Sequence, residues 1–93
     1  MEVKREESDN KGAFFIEVNS EKKAEMTYSK AGDKMIIIDH TEVDDSLRGK
    51  GAGKQMVEAA VIFARENKIK IMPLCPFASS VFKKIPEFRD VLN

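Results

Sequence analysis

Cysteine is nearly absent from this chain, and Cys75 stands alone among 93 residues. One thiol cannot close an internal disulfide, so no covalent staple supports the domain. A lone cysteine and the lack of a secretory leader point to a reducing, cytoplasmic compartment. Long apolar runs are lacking too. The longest aliphatic stretch, Met35 to Ile38, falls far short of the roughly 20 residues that cross a bilayer, so no membrane association is expected. Net charge is also missing, since sixteen basic residues balance sixteen acidic ones. A nucleic-acid binder would show a basic excess or stripe, and none is expected here. The Lys83-Lys84 pair reads as a solvated helix face.

What remains is enough for one domain and no more. Residues 1–12 are polar and charged and end on a breaker, Gly12; they are expected to form a mobile arm with at most a short edge strand near Val3. Residues 13–93 form the domain. Ala13 to Val18 is rich in Phe and Ile and suits a strand. Ala24 to Ser29 alternates, with Ala24, Met26 and Tyr28 on one face, and Met35 to Val43 follows as a third strand. The turns Asn19-Ser20-Glu21-Lys22 and Lys30-Ala31-Gly32-Asp33 join the three into an antiparallel meander. After Gly53 the period becomes helical, through Met56, Ala59/Ala60 and Phe63/Ala64 with Val57 and Val61 beside them, and Asn67 is the expected end cap. Ile69 to Leu74 reads as a strand with Pro73 at its edge or end. Pro76 opens a last helix to about Lys84, which Pro86 stops. The order β-β-β-α-β-α describes an α+β fold with a mixed sheet, because a right-handed crossover makes the third and fourth of these strands parallel.

The most informative segment is the loop Arg48-Gly49-Lys50-Gly51-Ala52-Gly53-Lys54, just before the long helix. Glycines let a backbone approach an anion closely, free N–H groups and the helix dipole point at it, and the cations add full charge. Several nucleotide sites use this chemistry, so spacing must decide. The Walker pattern fails, because Arg48 stands where its first glycine belongs and Gln55 where a hydroxyl must hold magnesium. The dinucleotide pattern fails as well: counting from Gly49, its last glycine is Lys54, and no acidic residue ends the next strand.

Arg48, Gly51 and Gly53 do fit R-x-x-G-x-G between a strand and a helix. In this the chain resembles the GNAT superfamily of N-acetyltransferases, in a compact, single-domain form. Thr41-Glu42-Val43 is similar to the end of that family's fourth strand, and Cys75-Pro76-Phe77-Ala78-Ser79-Ser80-Val81-Phe82 to its N-x-x-A-x-x-x-Y segment. The resemblance covers roughly residues 13–88. It implies acetyl-CoA or CoA as cofactor, lying between splayed parallel strands. The cofactor-binding residues would be Thr41, Val43, Arg48, Gly49, Lys50, Gly51, Ala52, Gly53, Lys54 and Cys75. Where the chain departs from the family, chemistry is affected. The helices that wall the acceptor site after the first strand have no counterpart, nor do the C-terminal strands. Cys75 replaces the asparagine, and Phe82 replaces the tyrosine that often protonates the departing thiolate.

Three residues are candidates for catalysis. His40, the only histidine, carries an imidazole that can take a proton from an amine and lies near the end of a strand beside the expected cofactor; alternatively, local hydrogen bonds, for instance to Asp39, hold it. Glu42 shares its strand face and is an alternative base, while Thr41 and Val43 face the other way. Cys75 is expected at a helix N-cap, where the dipole favours thiolate; otherwise it is a buried packing residue. Tyr28, the only tyrosine, reads as sheet packing. The activity expected is transfer of acetyl to an amine or thiol acceptor, helped by Val43 backbone donors that polarise the thioester carbonyl. The alternative is a non-catalytic acyl-CoA-binding module that acts through a partner protein. The acceptor side is open, so the expected state is a monomer or a weak homodimer.

Overall fold

The computed structural model describes residues Met1–Asn93. Five strands form one sheet in sequence order: β1 Lys4–Ser8, β2 Lys11–Val18, β3 Glu21–Lys30, β4 Met35–Val43 and β5 Lys70–Pro73. All neighbours are antiparallel except β4 and β5, which run parallel. The crossover between them contains helix α1, Ala52–Asn67, and β5 is followed by helix α2, Pro76–Lys84. A short 3₁₀ turn, Asp45–Leu47, precedes the glycine loop, and another, Pro86–Val91, follows α2. The expected α+β order is present, with one strand added at its start.

That added strand corrects the reading of residues 1–12. Lys4–Ser8 is not a free arm; it pairs with β2 across a tight turn at Asp9, which takes a positive φ of 56°. Its side chains are all exposed, so no apolar alternation marks it in the sequence. Polar contacts hold it instead. Arg5 lies 4.2 Å above the Phe63 ring and donates to the Tyr28 hydroxyl at 3.0 Å, while Tyr28 donates to Glu7 at 2.8 Å. Gly12 is likewise no breaker: it lies inside β2 opposite Tyr28, and a Cβ there would overlap the tyrosine ring. Two other details differ. The β2–β3 turn is only Asn19-Ser20, both at positive φ, which matches the twist of a two-residue hairpin. The left-handed residue that ends α1 is Lys68, at φ 57°, while Asn67 donates from its side chain to Phe63 O at 2.8 Å.

The core lies on one face of the sheet. Ala24, Met26 and Tyr28 of β3, Ile36 and Ile38 of β4, and Phe14 and Ile16 of β2 pack there against Met56, Val57, Ala60, Val61 and Ala64 of α1. Ala78, Val81 and Phe82 of α2, with Phe88 and Val91, complete it. On the other face no helix packs, yet Phe15 is buried, with the Lys22 ammonium 4.7 Å above its ring. Long charged stems cover apolar surface while their heads stay in water.

One irregularity positions the site. In β3–β4 pairing, Tyr28 faces Ile38 but Thr27 faces His40, so Asp39 is an extra residue, a β-bulge. Its carboxylate accepts from the hydroxyls of Thr27 and Ser29. The bulge reverses the alternation of β4. Ile36 and Ile38 point into the core, and beyond the bulge it is Thr41 and Val43 that point inward while His40 and Glu42 point out.

The Gly12–Tyr28 contact gives a stability prediction. Gly12→Ala should cost about 1–3 kcal/mol by overpacking against the ring. Tyr28→Phe keeps the ring and should cost only about 1 kcal/mol. Urea denaturation reads both, and a Gly12→Ala protein as stable as its parent would show that the ring is not fixed in place.

Candidate functional site

The glycine loop is held from its upstream side by an Asp44 cap. Asp44 accepts from the Ser46 N–H at 3.0 Å and the Ser46 hydroxyl at 2.6 Å, which fixes the 3₁₀ turn. These bonds hold the Asp44 carboxyl below its ordinary range. Gly49 and Gly51 then take φ of 77° and 75°, a region that L side chains rarely adopt. Gly51 is the N-cap of α1 and offers no side-chain cap. The first bond into the helix is Gln55 N–H to Gly51 O at 3.0 Å. The N–H groups of Ala52, Gly53 and Lys54 are therefore without protein partners, and the positive end of a 16-residue helix lies behind them.

A half-open cavity of about 390 Å³ lies against this helix start. Arg48, Gly51, Gly53 and Lys54 form one wall, and Phe77, Ser80, Val81 and Lys84 of α2 form another. Val43 closes the β4 end. Gly53 is needed for a different reason from Gly51: its φ is ordinary, but the Phe77 ring lies where its Cβ would be. Of the loop residues predicted from the sequence, Arg48, Gly49, Gly51, Ala52, Gly53 and Lys54 line the cavity; Lys50 does not. The α2 residues were missed. Their signal was the 77, 80, 81, 84 spacing of one helical face, which reads as packing until the partner of that face is known.

Between β4 and β5 the sheet opens. Their pairing ends at Ile38 and Pro73, and Ile38 O accepts from both Leu74 N–H, at 3.0 Å, and Cys75 N–H, at 3.1 Å. From Asp39 to Val43, β4 has no strand on that side. Asp44 N–H bonds to Lys23 O opposite it, at 2.7 Å. Alternation along an antiparallel ladder then turns the main-chain groups of Glu42 and His40 toward β3, and those of Thr41 and Val43 toward the opening.

Cys75 lies at this opening, as the N-cap of α2, with 6 % of its surface exposed. Its thiol and the Thr41 hydroxyl are 3.3 Å apart. Burial pushes the thiol up, but hydrogen bonds from Thr41 Oγ1 and from the N–H groups of Ala78, Phe77 and Thr41 favour the thiolate and bring it below its ordinary value. His40 and Glu42 meet each other on the opposite, open face, with Nε2 and Oε1 2.8 Å apart and both side chains mostly exposed. Read from the sequence as alternative bases, they form one pair. The bulge keeps that pair and the Thr41–Cys75 pair on different faces of β4. Phe82 is buried in the core and off the cavity, and Tyr28 is engaged far from it by Arg5 and Glu7.

This geometry has relatives. The chain matches the family described as GCN5-related N-acetyl-transferase over residues 13–91. Protein NATD1 of Xenopus tropicalis is 28% identical over 85 residues, covering 90% of this chain and 78% of that one. NATD1 of Danio rerio is 33% identical over 74 residues, covering 78% and 67%. The NMR solution structure of a GCN5-like protein from Staphylococcus aureus aligns with a TM-score of 0.74 at 39% identity, over 99% of this chain and 87% of that one. A streptothricin acetyltransferase-type protein from Bacillus anthracis, solved with acetyl coenzyme A, shares the fold, with a TM-score of 0.61 at 20% identity over 83% of this chain and 46% of that one. A strand–glycine loop–helix unit beside an opened parallel strand pair, matched by the family over most of its length, makes this chain a member of the GCN5-related N-acetyltransferase family.

Proposed function

We propose that the protein binds acetyl-CoA and transfers its acetyl group to an amine or thiol acceptor. The observation that carries this reading is the run of free N–H groups at Ala52, Gly53 and Lys54, facing a cavity that Arg48 and Lys54 line and no carboxylate does. Unpaired backbone donors, a helix dipole and the Lys54 ammonium suit a pyrophosphate, and Arg48, 2.9 Å from Asp45, stands beside them. Arg48, Gly49, Lys50, Gly51, Ala52, Gly53 and Lys54 would hold it. The main-chain groups of Thr41 and Val43 that face the opening suit the amides of a pantetheine arm, and Thr41 leads to Cys75. A bound acetyl-CoA supplies the acetyl group as a thioester.

Two approaches to that thioester follow from the two faces of β4. On the open face, the His40–Glu42 pair serves as base: Glu42 orients the imidazole, which takes a proton from the acceptor nitrogen. On the helix face, Cys75 serves as nucleophile. Its Sγ forms a bond to the acetyl carbon while the carbon–sulfur bond to CoA breaks, and CoA leaves as thiolate. The acceptor then displaces Cys75 from the acetyl carbon and restores the thiolate. Thr41 and the α2 N-terminus stabilise negative sulfur throughout.

Three outcomes test this. In titration calorimetry acetyl-CoA should bind, and magnesium ATP should not bind more tightly. Gly51→Val, shown folded by circular dichroism, should lose binding, because its φ of 75° excludes a branched side chain; Arg48→Ala should weaken binding less, since the backbone donors survive. Unchanged affinity in folded Gly51→Val would remove the loop from the site. Intact-protein mass spectrometry after incubation with acetyl-CoA should find one acetyl group, labile to hydroxylamine and absent in Cys75→Ala. No adduct, with normal turnover by Cys75→Ala, would leave direct transfer alone. The third outcome concerns pH. Because the Cys75 thiol is lowered, its iodoacetamide reaction should rise through a midpoint below the ordinary thiol value of about 8.5. Thr41→Val removes a donor to the thiolate and should move that midpoint up; no movement, or movement down, would separate Thr41 from the thiol.

A further inference from the structure

Helix α2 lends the cavity Phe77, Ser80, Val81 and Lys84, at the i, i+3, i+4, i+7 spacing of a single face. That face extends to the last turn of α2, while Cys75, the N-cap, lies at the other end of the helix and on its core side. At a rise of about 1.5 Å per residue, Lys84 lies roughly 13 Å along the axis from Cys75. Neither Lys84 nor Lys54 takes part in any ion pair of the chain. Lys4, Lys22, Lys23 and Lys30 each lie against a glutamate, whereas Lys83, like Lys84, has no acid partner, so what sets Lys84 apart from Lys83 is its place in the cavity lining. Lys54 and Lys84 stand on different walls of a cavity that no carboxylate lines, so an anion bound there would meet an ammonium group from each helix.

On the acyl-CoA reading, on which this inference rests, the loop and α1 take the pyrophosphate and the thioester lies by Cys75. One anionic group of CoA is then unaccounted for, the ribose 3′-phosphate, which belongs to the end of the molecule remote from the thioester. Lys84 is at the end of α2 remote from the Cys75 N-cap. We propose that Lys84 binds the 3′-phosphate and makes the site select CoA over dephospho-CoA. A competing role for Lys84 is purely structural: Lys83 and Lys84 both complement the negative end of α2. Lys83 shares that role but lies off the cavity.

The pair of lysines therefore provides its own control. The full chain, as parent, Lys84→Gln and Lys83→Gln, is titrated calorimetrically with CoA and with dephospho-CoA. The parent should prefer CoA by about tenfold, the scale of one charge-assisted contact in a half-open site. Lys84→Gln should erase that preference and leave dephospho-CoA affinity unchanged, while Lys83→Gln should keep it. Equal binding of the two ligands by the parent overturns the assignment of Lys84 and leaves the acyl-CoA reading standing. So does a Lys84→Gln protein weakened equally for both, or one that retains the preference. Binding of neither ligand by the parent overturns both.

Discussion

A single extra residue in β4 governs what the rest of this domain can do. Without Asp39, the alternation that buries Ile36 and Ile38 would carry His40 and Glu42 into the core, where an unpaired charge is costly. With it, the strand changes parity at the point where β5 leaves. Thr41 and Val43 turn inward beside Cys75, and the His40–Glu42 pair turns out to solvent. The Thr27 and Ser29 hydroxyls fix the bulge from the neighbouring strand, so a polar cluster on the open face determines which residues face the helices. The opened strand pair and the sorting of its side chains are two consequences of one local geometry.

The domain reaches this geometry with a core on one side only. Helix α1 contributes small and branched residues, Val57, Ala60, Val61 and Ala64, so that it lies close to the sheet. The opposite face is covered by charged stems, and β1 is fastened by Arg5 and Glu7 on a buried tyrosine hydroxyl. Those polar contacts are partly exposed, so each contributes modestly and together they fix register more than they add stability. The open face is thereby left free of helices next to the His40–Glu42 pair.

Much of this was legible in the sequence because it rests on local rules. Periodicity located α1, proline located α2, and glycine spacing located the loop, since each reports a backbone need that no distant residue can cancel. What was not legible depends on tertiary partners. Lys4–Ser8 has no apolar alternation, and its strand exists through pairing with β2 and through Tyr28. Gly12 looked like a chain breaker because its real constraint, the ring opposite, lies 16 residues away in sequence. The grouping of His40 with Glu42 followed from alternation, but which way the pair faces required the bulge. Lys84 looked like an ordinary solvated charge because nothing in its neighbourhood along the chain reveals a cavity.

On the proposed reading, a chain with Phe82 in place of a tyrosine needs another way to manage a departing thiolate. Phe82 has no proton to give and is buried in the core. A thiolate, however, is a weak base, with a conjugate acid near 8.5, and needs far less help to leave than an alkoxide. At the α2 N-terminus the N–H groups of Phe77 and Ala78 already favour negative charge on the Cys75 sulfur. On the proposed reading, the leaving sulfur and the attacking sulfur meet at that same helix end, one gaining charge as the other loses it. Fixed backbone dipoles then stabilise the negative charge on either atom, and proton transfer is required only at the acceptor, on the face where His40 and Glu42 lie.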